Sequence, residues 1–233
     1  MITGHKVGMW AAVGHRCRLT EDALRLRETS VLAVRDDGVV EGHATDVVSV
    51  GAAVDDAWPR ARGAVVCLGA GGSARALCRH LLVRPARPSR IVLCEREEHL
   101  AAEVRDLFPP TETAGVDLQV LTGRDQWDDV VAAMGAGGLV VNATGLGKTD
   151  ARAPLSAAVR YPPGATVWDL NYRGPLPMLA AAHRQEHERK LAVVDGTRLF
   201  ALGWLAALAA LLGVGDTVRF TEPFLAVAEE VRP

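Results

Sequence analysis

From about residue 60 onward, short runs of apolar, largely β-branched residues recur, and between them lie stretches whose apolar residues follow helical spacing. The runs are AVVCLG (64–69), RIVLCE (90–95), VDLQVL (116–121), GLVVNA (138–143), ATVWDL (165–170) and KLAVVDG (190–196). Apolar runs of this kind, without alternation, read as strands covered on both faces. The intervening GSARALCRHLL, EEHLAAEVRDLF, QWDDVVAAM and LPMLAAAHRQEHERK read as helices. Repeated strand and helix imply parallel pairing, so the chain is expected to be α/β, with a doubly wound parallel Rossmann-type sheet over residues 59–198. Residues 1–58 differ. MIT, SVLAVRDDGVVEGHATD and a helix over VVSVGAAVDDAW suggest a second, smaller α/β substrate lobe, with PRARG (59–63) as the linker and residues 199–233 returning to that lobe as helices.

Composition narrows the function classes. Hydrophobic residues make up 49% of the 233, enough for sheets buried on both sides, and a net charge of −2 without basic clusters speaks against nucleic acid and anionic membrane. LFALGWLAALAALLGV (199–214) is 16 residues long, short of the ~20 that cross a bilayer, and reads as a buried or interface-forming helix. Four scattered cysteines, Cys17, Cys67, Cys78 and Cys94, form no C-x-x-C pair; together with the lack of a signal-like start they point to reduced thiols in a cytoplasm and to no metal site.

VVCLGAGGSARALCRHLL places G-x-G-x-x-A between a strand and a helix. Gly69 permits the tight turn, Gly71 lets backbone approach a pyrophosphate, and Ala74 allows close packing of helix on strand, with phosphate at the helix N-terminus. Glu95 lies 21 residues beyond Ala74, at the end of the second run, where a carboxylate accepts from ribose hydroxyls. A dinucleotide is therefore expected. Glu95 favours NAD, and the adjacent Arg96 leaves NADP open because a guanidinium pairs with a 2′-phosphate.

Only three of the 26 basic residues are lysines, Lys6, Lys148 and Lys190. An ammonium can give up its proton when desolvated and a guanidinium cannot, which singles out Lys6, in GHK, as a proton-transfer group. The order GHKVGM (4–9), VEGHATD (40–46), the glycine loop, VVNATGLGK (140–148), VWDLNYRGPLPML (167–179) and VVDGTRLFALGW (193–204) resembles the shikimate/quinate dehydrogenase family. The resemblance implies a catalytic pair, Lys6 and Asp46, a substrate contact at Tyr172, and cofactor contacts at Gly72 and Ser73 in the GAGGS loop, at Asn142 and Thr144 in the N-A-T-x-x-G turn, and at Leu170 and Gly196. It implies hydride transfer between a nicotinamide and a cyclic hydroxy or keto compound.

Several polar family positions differ. Val31, Ala44 and Gly203 stand where the family carries two asparagines and a glutamine, and each polar group lost from a closed pocket weakens recognition by about 1 to 3 kcal/mol. The expected substrate is thus a ring compound other than shikimate; the alternatives are an ordinary shikimate/quinate dehydrogenase, or a dinucleotide-binding sensor or partner subunit without turnover. The family's opening strand and its serine-bearing loop have no counterpart here, whether because the chain is short, because residues precede it, or because another subunit supplies them. The strand edge so left open favours a homo-oligomer, a dimer.

Overall fold

The computed structural model describes residues 1–59, 63–123, 126–215 and 217–230. The expected linker therefore lies largely outside the described residues, which include Pro59 and Gly63 but not 60–62. The chain divides into one unit comprising Met1–Ala53, Gly71–Leu77 and Arg198–Pro233 and another comprising Val54–Ala70 and Cys78–Thr197.

In the first unit, α1 (Lys6–Val13), β1 (Arg18–Leu19), α2 (Glu21–Leu26), β2 (Val31–Val34), β3 (Val40–His43) and the start of α3 (Asp46–Ala57) follow one another. The sheet order is β1-β3-β2, with β1 parallel and β2 antiparallel to β3. Asp37 and Gly38 shape the β2–β3 hairpin: Gly38 takes φ +81, and the Asp37 carboxylate accepts from the Val39 amide at 3.0 Å. MIT runs as irregular chain tied to this lobe by the Ile2 amide, which donates to the Ser30 carbonyl at 2.7 Å. Helix α1, not foreseen from sequence, starts from His5 in the left-handed region, φ 56.

The remaining helices are α4 (Gly72–Val83), α5 (Glu98–Leu107), α6 (Trp127–Ala133), α7 (Pro177–His183), α8 (Glu186–Arg189), α9 (Thr197–Leu212) and α10 (Val218–Glu230). The apolar 199–214 stretch forms most of α9. Ala201, Leu202, Leu205 and Ala206 are buried, whereas Leu208 and Leu211 are partly exposed and Leu212 is 74% exposed. Arg35 holds the end of this helix, donating to the carbonyls of Ala210 at 3.0 Å and Leu211 at 3.2 Å, where a cation meets the negative end of the helix dipole. Among the described residues, no helix is long and apolar enough to cross a membrane.

The second unit holds β4 (Ala64–Leu68), β5 (Arg90–Glu95), β6 (Asp117–Thr122), β7 (Leu139–Asn142), β8 (Thr166–Asp169) and β9 (Ala192–Val194), in the order β6-β5-β4-β7-β8-β9 and parallel throughout. All six apolar runs are strands. Val66, Val92, Val140 and Val167 on the sheet pack with Trp127, Val131, Tyr161 and Met178 into one core. Cys67, Cys78 and Cys94 are buried with free thiols, and burial pushes all three above the usual thiol range, Cys94 to about 12. The stretch expected as one helix, 176–190, breaks between α7 and α8. Gln185 fixes the break: its side-chain amide donates to the Val159 carbonyl at 2.8 Å and accepts from the Tyr161 amide at 3.2 Å.

The loops after β8 and β9 are joined by close backbone approach. A Cβ on Gly196 would lie 2.1 Å from the Leu170 carbonyl oxygen, and one on Gly174 would lie 2.2 Å from that of Lys148. Gly196→Ala is expected to cost about 2 to 4 kcal/mol, lowering Tm by roughly 2 to 4 °C per kcal/mol in a thermal melt. Gly71→Ala, where a Cβ meets nothing within 4 Å, should melt with the wild type.

Candidate active site

Lys6 is the first residue of α1, Asp46 the first of α3 and Ser73 the second of α4, so three helix starts bring these side chains together in the first unit. Lys6 Nζ donates to Asp46 Oδ2, and Ser73 Oγ donates to the same oxygen at 2.7 Å. Lys6 Nζ also lies 3.3 Å from Ser73 Oγ. The Lys6 and Asp46 side chains are 12% and 11% exposed, withdrawn from bulk water but not sealed. An ammonium held by one carboxylate oxygen and a hydroxyl can exchange a proton with a bound hydroxyl group. Ser73, read from sequence as a cofactor contact, turns its hydroxyl towards Asp46. His43 instead faces Glu41 at 3.5 Å and Arg35, with burial as the main cause holding its imidazole below the usual range.

One residue of this cluster escaped the sequence. Glu28, between α2 and β2, is 0% exposed, and among the described residues neither carboxylate oxygen has a hydrogen-bond partner. Burial, reinforced by Asp46 and opposed by Lys6 and Arg75, raises its pKa from 4.5 to about 8. A Cβ on Gly72 would stand 3.0 Å from Glu28 Oε2 and 3.1 Å from Lys6 Cβ, so the bare glycine leaves room for both side chains. Arg75, also buried, donates to the Leu26 carbonyl at the end of α2 at 3.1 Å. In sequence, Glu28 stands in RLRETS and resembles one more charge on a solvated helix; only its place just ahead of an apolar strand hints at burial.

The glycine turn has the geometry its sequence suggests. Gly69 has φ +98, and a Cβ there would come within 3.0 Å of the Ala143 backbone. Around Gly71 the protein puts nothing within 4 Å of a Cβ, so packing within the chain does not require glycine there, whereas a pyrophosphate approaching the backbone would. Ala74 is fully buried. Glu95 Oε2 accepts from the Ala70 amide at 3.1 Å, and Oε1 accepts from the amides of Arg96 at 2.7 Å and Glu97 at 3.3 Å. The carboxylate is thereby fixed beside the turn, and Arg96 is exposed. These residues fit a dinucleotide.

Asn142 and Thr144 organise the turn after β7. The Asn142 amide donates to the Leu146 carbonyl at 3.0 Å and to Asp169 Oδ2 at 2.9 Å, while its oxygen accepts from the Thr144 amide at 3.1 Å and hydroxyl at 2.7 Å. Asp169, paired with Asn142 across β7 and β8, is fully buried; burial raises its pKa to about 6 against the pull of the Asn142 and Asn171 hydrogen bonds. Gly196 meets Leu170 through backbone, its amide donating to the Asn171 carbonyl at 3.0 Å. Tyr172 is half-buried, with Lys148 Nζ 5.6 Å from its ring centre and the Arg173 guanidinium at 5.4 Å.

No family model matches the chain. It is 37% identical over 186 residues to a shikimate dehydrogenase (NADP(+)) of Methylobacterium radiotolerans, a match that covers 76% of this chain and 60% of that one. The chain thus spans about three fifths of that relative's length. The fold is similar to a quinate dehydrogenase from Corynebacterium glutamicum in complex with NAD, with TM-score 0.69 and 23% identity over 96% of this chain and 76% of the other. It is also similar to a shikimate 5-dehydrogenase from Thermus thermophilus in complex with NADP(H) and shikimate, with TM-score 0.68 and 21% identity over 97% and 77% of the two chains.

The two raised carboxyls make stability pH-dependent. Each binds its proton more tightly folded than unfolded, so the contribution is full below the ordinary values of 4.5 for Glu28 and 3.8 for Asp169 and is lost as pH rises through about 8 and about 6 respectively. Unfolding free energy should therefore fall between pH 5 and pH 8, by on the order of 1 kcal/mol per pH unit for each titrating carboxyl. In Glu28→Gln, denaturant melts across this range should show a flatter upper half.

Proposed function

Because the chain belongs to the shikimate/quinate dehydrogenase family, we propose that it is a nicotinamide-dependent oxidoreductase that interconverts the carbinol of shikimate and the corresponding ketone. The observation that carries this reading is the Lys6–Asp46–Ser73 cluster at the start of the glycine-loop helix. When bound, the cofactor supplies the carbon that takes or gives the hydride. In the oxidative direction the O–H bond of the substrate breaks as its proton passes to Lys6, present as the amine at that moment; the electron pair of the C–H bond leaves as hydride, and the carbonyl forms. In the reductive direction the Lys6 ammonium donates the proton to the developing alkoxide. Asp46 holds the nitrogen in place, and Ser73 anchors the Asp46 oxygen that holds it.

The expectation of a ring compound other than shikimate rested on Val31, Ala44 and Gly203. The name borne by the Methylobacterium relative favours shikimate itself, and we take it as the substrate. Two hydroxyls close to the altered positions, those of Ser30 and Thr45, bond to each other at 3.1 Å, and Ser30 also bonds to the His43 carbonyl and the Thr45 amide. They brace the sheet end that presents Asp46.

For the dinucleotide, we assign the pyrophosphate to the Gly69–Gly72 turn and the adenosine ribose to Glu95. Arg96, next along the chain and exposed, is the residue that admits a 2′-phosphate. Tyr172 is assigned to the substrate, and Leu170 and Gly196 to the nicotinamide side.

Two outcomes test the assignments. Lys6→Met should lower kcat for shikimate oxidation by at least about 10³-fold while dinucleotide binding, read by calorimetry, stays within about twofold; retained turnover would refute the role of Lys6. Arg96→Ala should weaken NADP binding by about tenfold and leave NAD nearly unchanged, and equal losses for both would show that Arg96 does not read the phosphate.

A further inference from the structure

Glu28 is the one member of the Lys6 cluster to which the reaction above gives no task. A carboxyl with no exposed surface and no partner for either oxygen is costly to keep, and groups kept at such cost concentrate at functional sites. Its position is set by the same backbone that sets Lys6: the Thr29 amide donates to the Lys6 carbonyl at 3.1 Å, and Glu28 Oε2 and the Lys6 stem lie against the same face of Gly72. The charged groups around it are Lys6 from α1, Asp22 from α2, Asp46 from α3 and Arg75 from α4. The Arg75 guanidinium is directed to the carbonyls of Leu26 and Arg27, at 3.1 and 3.5 Å.

We infer that Glu28 is a third proton-holding group of this cluster and a positioning residue for proton transfer: protonated, it leaves the Lys6 ammonium to Asp46, and ionised, it competes with Asp46 for that ammonium. Ionisation releases one proton to water and places a second negative charge beside Lys6, drawing the nitrogen away from the oxygen that holds it ready to protonate the developing alkoxide. The burial that lifts the carboxyl to about 8 puts this change within the range where an enzyme works. The effect on turnover rests on the dehydrogenase reading; the effect on the cluster does not.

Infrared titration of the full chain without ligands tests the cluster directly. The wild type should show a protonated-carboxyl band that Glu28→Gln removes and that titrates near pH 8. Lys6→Met should move that titration upward by a pH unit or more, because it removes a neighbouring cation. In reduction of the corresponding ketone, where the Lys6 ammonium gives the proton, wild-type kcat/KM should fall by about tenfold between pH 7 and pH 9. Glu28→Gln should lose that fall, as should Glu28→Met, which keeps the volume without a titrating group and serves if the glutamine variant does not fold. A Glu28 band that titrates at the same pH with and without Lys6, or the same alkaline fall in a folded Glu28 variant, overturns the proposal. Absence of turnover in the wild type would count against the oxidoreductase reading alone, and the infrared comparison would still decide the role of Glu28.

Discussion

Three helices begin around one carboxylate oxygen, Oδ2 of Asp46, and the chemistry of the first unit hangs on that convergence. The positive ends of α1, α3 and α4 favour negative charge, and a lysine at a helix start is unfavourable unless a carboxylate answers it. Asp46 does so, with Ser73 steadying it. A buried ion pair contributes little net stability, because the desolvation of both partners offsets their attraction. In the proposed reaction its value lies in the proton that the lysine can exchange, and a lysine is the basic side chain able to do this where arginine is otherwise used almost throughout.

The second unit solves a different problem, that of holding strand ends still. Parallel strands present their carboxyl ends on one side of the sheet, where irregular backbone must be tied down without a regular ladder. The ties here are glycines that bring two loops into direct contact, at Gly69 against Ala143 and Gly196 against Leu170, together with the Asn142–Asp169 bond between neighbouring strands. Asn142 is spent on this bracing, shaping the turn after β7. Glu95 works similarly, accepting three backbone amides around the loop it borders.

The parts legible in the sequence were those with a periodic or compositional signature. The inner runs of the sheet, β4, β5, β7 and β8, could be read because strands covered on both faces leave no polar alternation to confuse them, and the glycine loop because strand, glycine spacing and acidic residue occur together. The misreadings had local causes. The 176–190 stretch kept helical periodicity across a break braced by the side chain of Gln185. Helix α1 buries none of its residues, so no amphipathic pattern announced it.

Lys6 stands out in the sequence as a rare lysine and Asp46 through the resemblance of its T-D step, so the sequence alone supplied the candidates for proton exchange and a glycine turn able to receive phosphates. It also determined the sheet, because burial on both faces is written into which residues recur. What only the tertiary structure decided is the electrostatic setting. Glu28 reads as a surface charge until folding places α2 and β2 so that its carboxyl lies without exposure or partner beside Lys6 and Gly72. The physical reason is that desolvation and charge proximity depend on what surrounds a group in three dimensions, and residues 6, 28, 46 and 73 become neighbours only in the folded chain.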